Sequence, residues 1–438
     1  MRKGREQDEH VRLKKLRKKR QRGFDAMYIR PSRISGRIDA PGSKSMMQRA
    51  VIAAALAKGE SVLRNPSFCD DALATMRVVE SLGAKVKKGM DEVTISGGGG
   101  AGAGVLDCGE SGTCMRMITA VAALHGKEFT ITGAGTLLSR PVGMVEGPLR
   151  ALGAECETNG GKPPIRVRGL LHGGTAVVDG SESSQFVSGL LMALPLCGKE
   201  SMLMVRRLKS KGYVRMTQHL LSEFGIHISS DASLASFLIP GNQSYRAREY
   251  LIEGDWSGAA FMLVAGAIAG QIEVSNLRAG FQPDRFIMDV LMSAGAKVEQ
   301  LPEGVRVQTA RLRAFDFDAT GSPDLFPPLV ALACACEGQS TIHGTNRLAN
   351  KETDRAATLM DGFRGLGADI SVAGNKMRII GGKLNGGSLN PHGDHRIAMA
   401  GAVAALVSEN GVSISHGGCV AKSYPRFFTD LDGLMVRD

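Results

Sequence analysis

Aromatic residues are scarce in this chain of 438 residues, at 5% with a single Trp. No stretch approaches the ~20 consecutive apolar residues of a membrane span; runs such as Phe261–Ala269 are broken by glycine and end in polar residues, which argues against membrane association. The eight cysteines include no C-x-x-C pair and mostly sit in apolar segments such as LVALACACEG. They read as small buried hydrophobes in a reducing compartment, the cytoplasm, and not as a disulfide framework or metal cluster. A Walker A loop and an H-E-x-x-H pair are also missing, and GGGAGAG at 98–104 reads as a plain loop. Chemistry must therefore come from side chains and preorganised charge.

What is present fits a globular protein of two domains, because 438 residues with 43% hydrophobic content exceed one ordinary core. The net charge of +11 suggests a nucleic-acid partner until it is located. Residues 1–23 hold 11 Lys or Arg against 3 Asp or Glu, leaving 43 basic against 40 acidic residues in the remainder. The body is nearly neutral, so the run reads as a solvated extension over 1–26, expected to be disordered. It has no apolar core for a signal peptide, and its Glu6, Asp8 and Glu9 suit a transit peptide poorly.

An internal repeat organises the rest. Six segments open with a polar turn and a helix of small apolar residues: 42–59, 109–126, 180–198, 254–270, 321–338 and 393–411. Each continues with a strand, a second amphipathic helix, a stop glycine (Gly83, Gly153, Gly225, Gly295, Gly367, Gly433) and another strand. This order predicts an α/β fold of βαβ-type modules, most simply three plus three. A strand over 27–38 precedes the first module and is expected to pair with the last ones. That places the domain crossovers near Pro41–Gly42 and Glu253–Gly254.

The polar turns supply Ser43 and Ser45, Ser111 and Thr113, Ser183 and Ser184, Ser257, Ser322 and Asp394. One such residue is an ordinary helix cap. Six helix N-termini aimed from two domains into one cleft would sum their dipoles on an anionic ligand. Lys44, Arg49, Arg116, Arg140, Lys211, Lys351, Arg355, Arg396 and Lys422 recur in the same stretches, which suits phosphate or carboxylate groups. Candidate acids and bases are Asp324, Glu352, Asp354, Asp394 and His395. In KETDR (351–355), Lys351 and Arg355 would share one face if the run were helical.

Taken in order, APGSKSMMQRA, CGESGTCMR, LLSRP, SSQFVSGLLMA, LKSKGY, EGDWSGAAF, SPDLFP, KETDR, GDHRIAMA and CVAKSYP resemble the blocks of the EPSP synthase family over residues 27–438. The resemblance implies two inverse α/β domains joined by a two-strand hinge, each of three βαβαββ units with pseudo-threefold symmetry. They would comprise 27–41 with 254–438, and 42–253. It implies transfer of the enolpyruvyl group of phosphoenolpyruvate to the 5-hydroxyl of shikimate 3-phosphate, through a tetrahedral intermediate, by a monomer without metal or organic cofactor. It places Lys44, Gly112, Arg140, Gln185, Arg355, Arg396 and Lys422 around phosphoenolpyruvate. Lys44, Ser45, Arg49, Ser183, Ser184, Gln185, Ser210, Tyr213, Asp324, Arg347 and Lys351 would hold shikimate 3-phosphate. Asp324 is then the candidate base for the hydroxyl, and Glu352, with Lys44, the candidate for protonating the methylene carbon.

Two positions depart from the family pattern. Glu110 stands where many members have Asn, adding negative charge near an anion site, and Arg347 stands where some have Asn and is expected to compensate. Gly112 keeps the turn small, which leaves room for the phosphonate glyphosate. The sister transferase acting on UDP-N-acetylglucosamine shares the fold, but its pattern has Asn after the lysine where this chain has Ser45. Nucleic-acid binding through the basic extension is the alternative from another class.

Overall fold

The computed structural model describes residues 26–100, 102 and 104–437, so the expected disorder of the extension lies outside the described residues. Six small sheets account for the described strands. In the unit 104–169, strand Gly104–Asp107 runs parallel to Phe129–Thr132, with a buried helix crossing between them. Phe129–Thr132 then pairs antiparallel with Lys162–Gly169, which pairs antiparallel with Ala154–Asn159. Alternation sets the inward face: Ala154, Cys156, Ile165 and Val167 are buried while Glu155, Arg166 and Arg168 are exposed. The order is βαβαββ.

Gly83, Gly153, Gly225, Gly295 and Gly367 close second helices at φ between 81° and 103°, the left-handed region a side chain disfavours. Gly433 departs from the expectation, because it lies inside the helix Phe427–Leu434. Among the described residues no hairpin follows there; Met435 instead bridges Ile34. The expected strand over 27–38 is also broken, into Ala26–Ile29 and Arg37–Asp39. Pro31 lacks the N–H a ladder needs, and Gly36 sits at φ 148°. Ala26–Ile29 completes the last sheet against Val412–Ser415, so that sheet has three strands where the others have four.

Buried apolar side chains form two clusters, one drawn from 46–252 and one from 29–40 with 256–435. These are the inner and outer halves. The inner half carries helices α1 (Lys44–Leu56), α2 (Gly112–Ala122), α3 (Ser184–Ala193) and α4 (Lys211–Glu223). The outer half carries α5 (Trp256–Ala269), α6 (Phe326–Cys334), α7 (Arg355–Gly365) and α8 (His395–Ala405). Helices α1, α2, α3, α5, α6 and α8 are buried along most of their length, α5 and α6 as helices apolar nearly all round must be, and α1, α2 and α8 with Arg49, Arg116 and Arg396 buried among their apolar residues. Small residues let them touch: a Cβ on Gly189 of α3 would lie 2.7 Å from the Met117 backbone of α2.

The chain crosses between the halves where Gly42 bridges Gly254 antiparallel. A Cβ on Gly42 would meet the Asn65 carbonyl at 2.2 Å, and one on Gly254 the Asn276 carbonyl at 2.0 Å. Asn65 and Asn276, both left-handed, each donate a side-chain bond to the crossing segment, to Ile252 O and Ala40 O. The two crossings are thus pinned alike.

Candidate active site

A polar cavity of about 240 Å³ lies between the halves, lined by Lys44, Ser45, Arg49, Gly112, Arg140, Ser183, Ser184, Gln185, Ser210 and Tyr213 from the inner half. Asp324, Arg347, Lys351, Glu352, Arg355 and Arg396 line it from the outer half. Every residue the resemblance assigned to a substrate lines it except Lys422, which stands behind it, 3.2 Å from Glu110 and 3.9 Å from Glu352, while Lys211 and Asp394, also candidates from the sequence, do not line it.

Helix starts build the inner wall. Ser43, Ser111 and Ser183 accept from Met46 N, Cys114 N and Gln185 N, leaving first-turn N–H groups of α1, α2 and α3 beside the cavity. Asp394 caps α8 by accepting from Arg396 N. Two helices of the expected set differ: Asp255, not Ser257, caps α5, whose start does not line the cavity, and Ser322 makes no cap bond to α6, its hydroxyl donating instead to Pro283 O.

Lys44 meets Asp71 at 3.0 Å. Burial pulls its ammonium down most strongly, but Asp71, Cys69 and Glu352 together raise it. Arg49 donates to Thr217 Oγ1 and Ser45 O, both at 2.8 Å. Arg116 donates to Gln185 Oε1 at 2.9 Å and Pro141 O at 3.0 Å, while Gln185 Nε2 reaches Thr113 Oγ1 at 2.7 Å. Burial brings Arg49 and Arg116 down to about 10, leaving both protonated near neutral pH.

The outer wall is denser in charge. Buried Arg355 lies 3.0 Å from Asp324, 2.7 Å from Glu352 and 2.8 Å from Asp394. Arg396 adds a 3.0 Å pair to Asp324 and Lys351 one at 3.6 Å. Burial pushes the Asp324 carboxyl up, but Arg396, Lys351 and Arg355 overcome it and hold the group well below 3.8. For Glu352, burial is likewise overcome by Arg140, Arg355 and Lys422, so it stays well below 4.5. Arg140 reaches it across the cavity at 3.5 Å. His395 is buried with no hydrogen-bond partner for either ring nitrogen, Nδ1 lying 3.9 Å from Asp394; burial, then Lys44, keeps it neutral.

The expectation that Lys351 and Arg355 share a helix face fails, because α7 begins only at Arg355 under an Asp354 cap. The two cations converge on Asp324 instead. Asp354 itself does not line the cavity. The negative charge of Glu110 is answered by Lys422; Arg347 lines the cavity and donates to Ser181 O at 2.7 Å. Sequence reading left Asp71, Ser181, Glu182, Asn346 and Asn350 off the site, and named Arg116 and Thr113 only among the cations and caps without assigning either to a substrate. Arg116 was findable, since it lies one helical turn beyond Gly112. Asp71 had no local signal.

A family model described as EPSP synthase (3-phosphoshikimate 1-carboxyvinyltransferase) matches residues 29–431. A 3-phosphoshikimate 1-carboxyvinyltransferase of Methanocorpusculum labreanum is 37% identical over 418 residues, 93% of this chain and 98% of that one. One of Aeropyrum pernix is 38% identical over 424 residues, 95% and 97% of the two chains. Among solved structures, an EPSP synthase from Acinetobacter baumannii superposes with a TM-score of 0.78 at 26% identity, covering 94% of this chain and 98% of that one. The enolpyruvyl transferase NikO from Streptomyces tendae shares the fold, with a TM-score of 0.76 at 18% identity over 93% of this chain and 97% of that one.

Proposed function

This chain belongs to the EPSP synthase family, whose reaction transfers the enolpyruvyl group of phosphoenolpyruvate to shikimate 3-phosphate, and we propose how its cavity divides that work. The observation that carries the reading is the meeting of Lys44, Arg49, Arg116 and Arg140 with Lys351, Arg355 and Arg396 around one cavity. Two polyanions repel each other in water; fixed cations and helix N-termini hold both and orient the reacting atoms.

In this reading Lys44, Gly112, Arg140, Gln185, Arg355 and Arg396 take phosphoenolpyruvate, with Lys422 behind them. Lys44 and Gln185 also face the shikimate side, where Ser45, Arg49, Ser183, Ser184, Ser210, Tyr213, Asp324, Arg347 and Lys351 hold shikimate 3-phosphate. The 5-hydroxyl oxygen adds to the central carbon of phosphoenolpyruvate as its proton passes to Asp324. Glu352, ionised before the substrates bind, takes up a proton from solvent as they engage its cations and delivers it, beside the Lys44 ammonium, to the methylene carbon, giving the tetrahedral intermediate. The methyl carbon so formed then returns a proton to Glu352 as the bond to the phosphate oxygen breaks, and inorganic phosphate leaves while Asp324 gives its proton to solvent. Both carboxyls begin ionised under neighbouring cations. As substrate phosphate and carboxylate groups engage those cations, Asp324 and Glu352 lose countercharge and become better proton carriers.

We also propose that 27–41 with 254–438, and 42–253, are domains that move about the Gly42–Gly254 crossing. Their separate core clusters support this. The working form is a cytoplasmic monomer that needs no nucleic acid; a chain lacking residues 1–25 is expected to keep full turnover. No described helix is long and apolar enough to cross a membrane.

The test is phosphate release from phosphoenolpyruvate with shikimate 3-phosphate, beside a parallel assay with UDP-N-acetylglucosamine. Release with the shikimate substrate alone, lost in Arg396→Ala, is the expected result. Release with the sugar nucleotide alone overturns the acceptor assignment.

A further inference from the structure

Asp284 lies outside the cavity lining, in the turn Pro283–Phe286 that precedes the short helix Ile287–Ser293 of the outer half. It is 2% exposed. The Tyr213 hydroxyl, from α4 of the inner half, donates to its Oδ2 at 2.7 Å, and Oδ1 is buried without a partner. The contact is tight on either side of this bond. A Cβ on Gly212 would lie 2.8 Å from the Pro283 ring, and the Phe281 and His219 rings stand 4.6 Å apart across the same seam.

The turn also touches the parts that matter for turnover. Ser322 Oγ, two residues before Asp324, donates to Pro283 O at 3.2 Å. Gln282 accepts from Ser43 Oγ at 3.0 Å, beside Lys44, and donates to Gly254 O at 2.8 Å in the crossing. One rigid turn thus joins the crossing, the α1 cap, the Asp324 turn and the start of α4.

We propose that Asp284 is a positioning residue for this reaction, fixing Tyr213 and the first turn of α4 onto the cavity when the halves meet. It acts through Tyr213 and touches no substrate. Four groups set its charge: burial first, then Asp324, push the carboxyl up to about 7, Asp255 adds to this, and Arg396 and the Tyr213 bond oppose it. A second full negative charge beside Asp324 is thereby reduced, and a neutral acceptor suffices for the tyrosine hydroxyl. Because Tyr213 is assigned to shikimate 3-phosphate, the inference rests on the function proposed above.

The test is steady-state phosphate release by the full chain at varied shikimate 3-phosphate. Asp284→Ala is expected to raise KM for that substrate about tenfold with kcat changed by no more than about twofold, the loss of one hydrogen bond to an ionisable group. Tyr213→Phe is expected to match it, and the double variant to be no worse than either, since both remove the same bond. Asp284→Asn, whose amide oxygen still accepts from Tyr213, is expected to restore KM. Gly212→Ala reaches the same contact from the other side, by driving α4 from Pro283, and serves if Asp284→Ala does not fold. Additive effects in the double variant, or an unchanged KM in Asp284→Ala and Gly212→Ala, overturn the proposal. A wild-type chain releasing no phosphate from these substrates would instead overturn the function itself.

Discussion

The inner half meets the cavity with hydroxyls, helix N-termini and cations spaced along separate elements, whereas the outer half brings a knot in which Arg355 alone touches Asp324, Glu352 and Asp394. The same βαβαββ plan underlies both. Spaced donors with unspent bonding capacity suit holding anions. Carboxylates tied to several cations suit proton handling, because their affinity for a proton changes as soon as a substrate engages those cations. Under the proposed function, binding then falls mainly to the inner half and proton transfer mainly to the outer.

The sharpest way to break that division is Asp324→Ala. If the outer half handles protons, kcat falls by about 10²–10⁴-fold while shikimate 3-phosphate, which loses one of its holding groups, binds no more than about tenfold more weakly, as read by phosphate release and by direct titration. Equal loss of binding and turnover would erase the distinction. Next in size is Lys44→Ala in the inner half, which removes a buried ammonium and leaves Asp71 unpaired. KM for phosphoenolpyruvate is expected to rise by about tenfold to a hundredfold, more than kcat falls.

Acid sharpens the contrast through stability. Folded Asp324 and Glu352 lie below their ordinary 3.8 and 4.5, so the unfolded chain takes up protons first as pH drops. Their contribution is complete above about pH 4.5 and is lost as pH falls toward the folded values. His395, neutral when buried and ordinarily protonated near 6.5, acts in the same direction from pH 6.5 downward. Asp284 opposes them between about 7 and 3.8, since it keeps its proton in the fold. Melting temperature is expected to fall with pH below 6.5, and to fall more steeply in Asp284→Asn. A pH-independent melt would remove the outer knot from the account. The smallest effect belongs to Glu110→Gln, which frees Lys422 from a half-exposed pair. KM for phosphoenolpyruvate is expected to drop by no more than about fivefold, in line with exposed ion pairs, and a rise would mean that Glu110 helps to place Lys422.

Much of the fold was legible because its signals are local. The small-residue helices, the serine and aspartate caps and the five left-handed glycines each declare themselves within a few residues. Gly433 misled because a stop glycine and a helical glycine look alike until the next strand is known to be missing. The 27–38 run misled because its apolar pattern hides two short strands in different sheets. Within the site, Arg116 was visible as a cation one turn from Gly112, while KETDR looked helical from its spacing and is held open by its contacts with Asp324.

The sequence by itself determined the module plan, the helix starts and the stock of cations, because capping, turn geometry and amphipathic burial act over one or two turns of chain. Only the tertiary structure decided which cation meets which carboxylate. Lys422 pairs with Glu110 across 312 positions, Tyr213 with Asp284 across 71, and Lys44 with Asp71 across 27. Coulomb attraction and hydrogen bonding depend on separation in space, and that separation exists only once the two cores have formed and the halves have met.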